Sequence, residues 1–335
     1  IPASMPDGQG QLGGIYPMQL DSVSLLAGPQ ATLAGFNAGA VLTARTRMPT
    51  ATSFRIGLGD GGSALLSTGG AYGEWRHGLH LSAAETRPWR DHADSRRRAL
   101  SWLAKRGEVS EGEWTIKADL FEQPDAEDPG TLTVAALALD PRAADPLAVS
   151  LGAGKRVSQQ QLGLAWRRGD AALGARAAIW VGQREVEQLL PIAPAAQRNR
   201  PEVAGLLALD RDYGGLRVGL SGSTPLWRWG LSAELEELRD QRLGWENCSG
   251  TTLGVRGLLK RDESFAATTQ GLTLEWGRAL ATDWMLDGGL RWSRQSVDIR
   301  LLTLPESNRS LTGYTGFAGL RWMPEGLGRW QLAVG

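Results

Sequence analysis

Apolar and polar residues alternate along most of this chain, from about residue 52 to its last residue. The alternation comes in segments of roughly ten residues separated by turns, which is typical of β-strands with one apolar and one polar face. The pattern therefore predicts an all-β architecture for this part of the chain. It is clearest in Glu113–Leu120, Gln161–Arg167, Leu173–Val181, Trp229–Glu236, Trp284–Ser293 and Phe317–Trp322.

Two architectures fit an alternating strand: a soluble β-sandwich, whose apolar faces pack against each other, and a transmembrane β-barrel, whose apolar face meets lipid. The pattern recurs over about 10–12 segments, each near the ~9–11 residues that span a membrane as a strand, and this favours the barrel. Tryptophans at segment ends fit the aromatic girdle of such a barrel. They are Trp166, Trp229, Trp284, Trp292, Trp322 and Trp330.

The predicted connections between strands alternate in length, as they do in bacterial barrels, where short turns face the periplasm and long loops face outside. We predict short turns at 168–170, 213–215, 280–283 and 324–328. We predict long loops at 88–98, 124–146, 187–201, 239–251 and 302–312. The glycine-rich stretch 57–62 lies between two strands and is predicted to be a further turn.

The stretch Asp21–Arg47 differs from the strands that follow it. Gly28 can adopt a positive φ and Pro29 fixes its own φ, so this pair predicts a sharp corner. The small residues at 38–40 allow a backbone to pass close to a neighbour. We therefore expect a compact segment that packs inside something narrow.

The same stretch resembles the end of the plug domain of TonB-dependent outer-membrane receptors, whose pattern is roughly V-E-V-L-R-G-P, then L-Y-G, then G-G-V-I-N-I-x-T. The sequence departs from that pattern at Ala27, where arginine is usual, at Ala34, where tyrosine is usual, and at Ala40, where the second glycine is usual. The positions that fall on the pattern are Val23, Leu25, Leu26, Gly28, Pro29, Leu33, Gly35, Gly39, Val41 and Thr46.

A narrower resemblance comes from the string IPASMPDGQGQ at 1–11, which is similar to the plug of the receptor subgroup that includes the pyrroloquinoline quinone transporter. Further strings similar to that subgroup follow in the same order along the barrel part. They lie at 89–98, 123–133, 210–215, 239–247 and 255–263.

The resemblance implies an antiparallel transmembrane β-barrel of about 22 strands with an N-terminal plug. We expect this chain to be a fragment, with the C-terminal part of the plug at 1–48 and the first part of the barrel at 49–335. The implied protein is a monomer of the bacterial outer membrane, in contact with lipid and lipopolysaccharide. It would take up a scarce small molecule, with energy delivered by TonB through an N-terminal box that this chain does not contain.

The substrate stays open between pyrroloquinoline quinone and other scarce ligands such as siderophores, other metal complexes or cobalamin. Three further classes remain as alternatives: a passive barrel channel, an outer-membrane hydrolase and a soluble β-sandwich. The plug-like Asp21–Arg47 argues against a channel. The sequence has no Gly-x-Ser-x-Gly elbow with triad partners, no phosphate-binding loop and no His-Glu-x-x-His, which argues against an enzyme.

Composition and charge exclude several kinds of binding partner and site. The formal net charge is +0, so no overall field attracts nucleic acid. Cys248 is the single cysteine, which rules out a disulfide within the chain, and the three histidines are too few for a usual zinc cluster. We expect no catalytic residue, no cofactor and no metal site.

Two groups of residues are candidates for ligand binding. The densest basic cluster is predicted to lie in an extracellular loop, where arginines suit bidentate capture of carboxylates, such as those of a tricarboxylate quinone. A second group joins cations to a stacking surface. The alternative is a solvated loop whose arginines pair with lipopolysaccharide or with nearby carboxylates. The first group is Arg90, His92, Arg96, Arg97 and Arg98, and the second is Arg239, Arg242 and Trp245.

Overall fold

The structure is a computed structural model that describes residues 16–34, 40–198, 200, 202–301, 304–323 and 330–334. Two 3-10 turns cover Pro17–Gln19 and Pro29–Ala34. Three short α-helices are α1 (Val134–Leu139), α2 (Pro146–Leu151) and α3 (Pro194–Arg198). Among the described residues, no helix has the length and hydropathy needed to cross a bilayer.

Strands make up most of the molecule, as predicted. They are β1 (Leu20–Ala27), β2 (Ala40–Thr46), β3 (Ser53–Gly59), β4 (Gly61–Tyr72), β5 (Trp75–Thr86), β6 (Ser95–Arg106), β7 (Glu113–Ala126), β8 (Gly154–Gly169), β9 (Gly174–Leu189), β10 (Leu206–Ser223), β11 (Trp227–Trp245), β12 (Cys248–Ser249), β13 (Thr252–Leu253), β14 (Leu259–Ala281), β15 (Trp284–Leu301), β16 (Leu304–Trp322) and β17 (Trp330–Val334).

One large antiparallel sheet contains thirteen of these strands. Its order follows the chain from β3 to β11 and then from β14 to β17, so each strand pairs with its neighbours in sequence. Strands β1 and β2 form a separate hairpin, and β12 and β13 form a small one within the connection from β11 to β14. The prediction of a meandering antiparallel all-β fold is confirmed.

The two faces of the large sheet differ in the way that the alternation predicts. We call the side that packs against residues 32–33 and 47–49 the inner face, and the opposite side the outer face. On the outer face Leu290 is 63% exposed and Val181 is 56% exposed. On the inner face Arg291 is only 4% exposed. Exposed apolar side chains over such an area indicate a surface that contacts lipid or another apolar partner.

Aromatic side chains gather at the end of the sheet that carries the short turns. The rings of Trp114 and Trp166 lie 6.4 Å apart and are tilted, and those of Trp284 and Trp322 are stacked at 5.8 Å. The guanidinium of Arg278 lies 5.0 Å from the ring centre of Trp227. This arrangement fits the predicted aromatic girdle at one membrane interface.

The connections alternate in length from one end of the sheet to the other. The long ones, at 87–94, 127–153, 190–205 and 246–258, all lie at one end, which we call the loop end. The other end, the turn end, carries the connections 73–74, 107–112, 170–173, 224–226 and 282–283.

Two predicted connections are wrong. Most of the loop expected at 302–312 is strand, since β16 begins at Leu304, which pairs with Leu301 of β15; residues 302–303 lie outside the described residues. The turn expected at 213–215 lies inside β10. Gly215 makes room for the ring of Trp180, since a Cβ on this glycine would lie 2.3 Å from Cζ2 of that ring. The turn expected at 324–328 lies outside the described residues.

Many strands are longer than the ~9–11 residues that a membrane requires. Strand β11 has 19 residues and β14 has 23, so both extend well beyond the apolar belt at the loop end. For the same reason the long loops begin later or end earlier than predicted. The basic residues at 96–98 and the second candidate group at 239–245 lie in strands β6 and β11, not in loops.

Candidate functional site: the hairpin segment and the inner face

The corner predicted at Gly28 and Pro29 is present. Gly28 has a φ of 88°, the left-handed region that favours glycine, and Pro29 opens the 3-10 turn that follows. Strands β1 and β2 on either side pair from Leu20 opposite Thr46 to Ala27 opposite Ala40. Two further positions of the predicted motif, Gly35 and Gly39, lie outside the described residues.

The 3-10 turn contacts the inner face at strands β15 and β16. Leu33 is 7% exposed and fills the space left by Gly289, where a Cβ would lie 2.4 Å from Cδ1 of Leu33. The Thr315 hydroxyl donates to the carbonyl of Thr32 at 2.9 Å. Nη1 of Arg291 donates to the carbonyl of Leu33 at 3.3 Å. A glycine in the strand and two side-chain donors thus hold this 3-10 turn against the inner face. We call residues 16–49, which include the turn, the segment.

Arg291 is itself held by several partners on neighbouring strands. Its Nε donates to Oγ of Ser293 at 2.8 Å, and its Nη1 donates to Oγ1 of Thr273 at 3.0 Å. Its Nη2 forms an ion pair with Glu234, which also accepts from Nη2 of Arg217 at 2.6 Å. A guanidinium that is 4% exposed needs such partners, because an unpaired buried charge is costly. The network therefore fixes the donor that reaches Leu33.

A second contact joins the end of the segment to strands β4 and β5. Nε2 of His80 lies 2.9 Å from the carbonyl oxygen of Arg47, and its Nδ1 lies 2.8 Å from Oγ of Ser67. Because a carbonyl only accepts, Nε2 carries the hydrogen and Nδ1 accepts from the serine hydroxyl. Pro49 packs on a neighbouring glycine, since a Cβ on Gly78 would lie 2.7 Å from its Cδ.

The two contacts lie far apart in the sheet. Strands β5 and β15 are separated by seven strands in the sheet order, so the described residues of the segment 16–49, which are 16–34 and 40–49, contact widely separated parts of the inner face. Leu33 and His80 are both at least nine-tenths buried by this contact. The segment is thus anchored to the wall at its 3-10 turn and again at its C-terminal end.

Closer to the loop end, the inner face carries a second charged group. Asp240 is buried and accepts from Arg211 at 2.7 and 2.8 Å and from Arg242 at 2.7 and 3.2 Å. The guanidinium of Arg242 also lies 5.3 Å from the ring centre of Phe265. Nearby, Nη1 of Arg184 donates to the Gln159 amide at 2.6 Å. Two arginines thus share the Asp240 carboxylate, and a third, Arg184, lies on the same face.

The loops at 87–94 and 127–153 are joined by side chains of the first candidate group. The Arg90 guanidinium donates to the carbonyls of Pro129, Gly130 and Ala143 at 3.0–3.3 Å. Nε2 of His92 lies 2.9 Å from the carbonyl oxygen of Ala153. These bonds show that both side chains hold the loops together.

The loops at 190–205 and 246–258 interlock through two amides that are fully buried. Nε2 of Gln197 donates to Oδ1 of Asn247 at 2.7 Å, and the Asn247 backbone donates back to Oε1 of Gln197 at 3.1 Å. Cys248, next to this pair, is 3% exposed. The loop end is therefore a connected layer and not a set of separate loops.

The basic cluster predicted at 96–98 does not stay together. The three arginines lie in β6, where successive side chains point to opposite faces. Arg97 is on the inner face, with its guanidinium 5.4 Å from the ring centre of Tyr16. Arg96 and Arg98 are on the outer face, and Arg96 lies 3.8 Å from Asp125.

The second candidate group is divided in the same way. Arg242 is on the inner face beside Asp240, as described above. The guanidinium that stacks on Trp245 belongs to Arg256, at 4.7 Å, and that guanidinium also bonds to Glu187 on the outer face. Arg239 is an outer-face residue, with a side chain that is 76% exposed.

Sequence reasoning assigned no role to Arg291, Thr315 and His80, which anchor the segment, or to Glu234, which holds Arg291. The alternation did place Arg291 and Glu234 on the polar face of their strands, and a charged residue on the polar face of a spanning strand was the available signal. Nothing in the sequence indicated which of these charges would meet the segment. Among the described residues, no group of three or more histidine, cysteine, aspartate or glutamate side chains could hold a metal ion.

Comparison with known proteins identifies the fold. No protein-family profile matches the sequence. The unliganded ferric citrate transporter FecA matches 92% of this chain and 48% of its own, with a TM-score of 0.74 and 15% identity. The copper transporter OprC matches 99% of this chain and 53% of its own, with a TM-score of 0.73 and 12% identity.

The iron transporter FrpB of Neisseria meningitidis matches 95% of this chain and 53% of its own, with a TM-score of 0.70 and 13% identity. The chain therefore spans about half the length of these proteins. Its fold is that of the TonB-dependent barrel receptors.

Proposed function

We propose that this chain is part of a TonB-dependent transporter that takes up a scarce small molecule across the bacterial outer membrane. In this proposal residues 1–48 belong to the plug and residues 49–335 to the barrel. The observation that carries the proposal is the segment 16–49, which lies on the inner face and is anchored there by Arg291, Thr315 and His80. A segment that packs against the inner face argues against an open passive channel.

The chemistry of the two faces supports the same proposal. The outer face exposes a broad set of apolar side chains, which suits contact with membrane lipid. The inner face carries buried arginines and carboxylates, which suit a polar path. Energy would come from TonB acting on the plug, and the packed segment would rearrange to open the path. The transporter would be a monomer surrounded by lipid and lipopolysaccharide.

For the substrate, we propose an anionic small molecule, with pyrroloquinoline quinone as the first candidate. Of the residues predicted to bind ligand, Arg97 and Arg242 are on the inner face, where a transported molecule would pass. Arginine pairs well with carboxylates, and this ligand has three. The resemblance at 1–11 supports the same choice. A siderophore or another metal complex is the second candidate, favoured by the named cargoes of the ferric citrate and copper transporters.

Calorimetry tests the substrate on the purified protein in detergent, titrated with pyrroloquinoline quinone. We expect a sub-micromolar Kd that weakens when Arg97 and Arg242 are both changed to alanine. Arg168→Ala is the matched control, because this arginine is exposed on the outer face near the turn end. If the quinone does not bind, it is not the substrate, and the same titration with ferric siderophores then decides the second candidate.

Uptake itself is tested in cells. Import of the bound ligand should require TonB and should stop when the proton gradient is dissipated. Import that continues without TonB would overturn the proposed mechanism and leave a passive barrel.

A further inference from the structure

Four cations lie in a row on the inner face at the turn end, on strands β5, β6, β8 and β9. Arg76 and Lys105 are register partners on β5 and β6, and Arg167 and Arg176 are register partners on β8 and β9. We call these four residues the turn-end cation row. Like charges directly opposite each other on neighbouring strands repel and destabilise a sheet. Two such pairs in one row are therefore a cost to the fold of the wall.

Within the described residues, the row shares a single carboxylate, that of Glu113 on β7. Nε of Arg167 donates to Oε1 of Glu113 at 2.8 Å. Nζ of Lys105 and Nη2 of Arg76 lie 3.8 and 3.9 Å from the same carboxylate. The Glu113 side chain is 6% exposed, whereas those of Arg76 and Arg167 are each 53% exposed. The carboxylate is thus enclosed by the cations, and the two guanidinium groups keep exposed sides on the inner face.

Arg176 has no carboxylate partner in the described part of the chain. Its exposed side chain lies over Gly219 of β10, where a Cβ would lie 2.8 Å from Nε of Arg176. Arg167 is turned the other way, toward β7, by its bond to the carboxylate there. The two guanidinium groups therefore point apart. The next inner-face row, in which Ala165 is the register partner of Ala178, forms a low floor beside them.

The carboxylates of the neighbouring turns pair with none of these cations. In the described residues, Glu108 and Glu111 of the connection 107–112 form no ion pair. Oδ1 of Asp170 accepts from two backbone amides of its own turn, at 2.8 and 3.0 Å. Among its direct contacts, the turn-end cation row therefore keeps more positive than negative charge.

We propose that the turn-end cation row binds a small anion through its carboxylate or phosphate groups, with Arg176 and the exposed side of Arg167 as the binding residues. The anion lies over the floor of Ala165 and Ala178 and relieves the repulsion between the two arginines. A planar guanidinium suits this ligand, because it pairs bidentately with a carboxylate or a phosphate.

Two sources supply an anion of this chemistry: the transported molecule as it leaves toward the periplasm, and a free anion of the periplasm. The position of the row favours the first source. Pro49, at the end of the segment, packs on Gly78, close to Arg76 on the same strand. The row thus flanks the place where rearrangement of the segment would open a path. This role as an exit site rests on the proposed function, whereas the anion site itself rests only on the contacts described above.

Arginine labelling tests the site on the purified protein in detergent, with citrate as the probe anion. Phenylglyoxal modifies accessible arginines, and mass spectrometry of peptides gives the rate at each one. We expect saturating citrate to slow the labelling of Arg176 at least about threefold, as expected for exposed charge pairs. High salt should remove this protection. Arg168 is the internal control, because it is exposed on the opposite face of β8 and its rate should not change. Unchanged labelling of Arg176 overturns the proposal.

Arg176→Gln separates anion binding from folding. The substitution removes one member of a like-charge pair and breaks no ion pair of the described residues, so the melting temperature should stay the same or rise. The affinity for citrate should nevertheless fall at least about threefold. Calorimetry measures this affinity in protein that also carries Arg97→Ala and Arg242→Ala, so that the loop-end candidates do not contribute.

Arg168→Gln is the matched control and should leave both the melting temperature and the affinity for citrate unchanged. An affinity that Arg176→Gln does not lower overturns the proposal. So does a lower melting temperature for Arg176→Gln, because a structural role would then account for this arginine.

Uptake in cells distinguishes the two sources of the anion. If the transported molecule uses the site, Arg176→Gln should lower the maximal rate of uptake and leave the Kd of the transported molecule unchanged. Uptake that the variant leaves unchanged, together with protection by citrate, assigns the site to a free periplasmic anion. Uptake that does not need TonB would refute the proposed transport mechanism, while protection of Arg176 by citrate would still decide the anion site.

Discussion

Replacing Arg291 with glutamine tests whether this side chain holds the segment on the inner face. The substitution removes the charged donor to the Leu33 carbonyl, which now lies 3.3 Å from Nη1. A hydrogen bond from a charged group contributes about 1.5–3 kcal/mol. At about 1.4 kcal/mol for each factor of ten, local opening of the 3-10 turn should become roughly 10- to 150-fold more frequent.

Hydrogen exchange followed by mass spectrometry measures that opening directly. The reporter is the Ala31 amide, which donates to the Gly28 carbonyl at 2.9 Å inside the same turn. Exchange in a peptide covering 29–34 should accelerate by the predicted factor, while exchange in the strands of the large sheet should change little. Protection in those strands shows that the barrel wall remains folded.

Arg217→Gln is the matched control for this experiment. Arg217 binds the same carboxylate, Glu234, but its own side chain is 49% exposed and holds no atom of the turn in the described structure. An exposed pair contributes little, so exchange should rise by less than about threefold. The reasoning is refuted if Arg291→Gln leaves exchange at 29–34 unchanged, or if both variants accelerate it equally.

Three further predictions concern other parts of the molecule. Gly289→Ala should displace the segment, because the new Cβ would lie 2.4 Å from Cδ1 of Leu33; proteolysis within the segment should accelerate, and Leu33→Ala in the same protein should reverse much of the effect. Backbone hydrogen bonds in the 170–173 turn lower the pKa of Asp170. The stabilisation of that turn should therefore be complete above the ordinary aspartate pKa and lost as pH falls through the lowered value; Asp170→Asn should abolish this acid dependence of amide exchange in the turn. Gln197→Ala should loosen the loop layer, leaving a buried amide unpaired at about 1–3 kcal/mol; maleimide labelling of Cys248 should then accelerate at least about fivefold, and an unchanged rate would contradict the interlocked loops.

Local rules were sufficient for much of the fold. A period of two in apolar residues is a property of a strand alone, so the alternation in Glu113–Leu120 or Trp284–Ser293 identified both the strands and their faces. The corner at Gly28 and Pro29 was equally local, because it depends only on the φ values that these two residues can adopt. The aromatic girdle followed once the ends of the strands were known.

These local rules could not predict where the strands end or what role a glycine plays. Residues 213–215 were interpreted as a turn, but they lie inside β10, and Gly215 makes room for the ring of Trp180 on the neighbouring strand. The basic run at 96–98 was interpreted as one binding cluster in a loop. The strand β6 extends to Ser95, and a period of two then separates adjacent arginines onto opposite faces.

The sequence by itself determined which residues share a face of the sheet, since that depends on spacing along one strand. Only the tertiary structure decided which inner-face residues anchor the segment, because Arg291 and Leu33 are 258 positions apart along the chain. The same holds for His80, whose partners Ser67 and Arg47 come from a neighbouring strand and from the segment itself. Contacts between distant residues depend on strand register and on how the segment crosses the sheet, and neither is encoded in a local pattern.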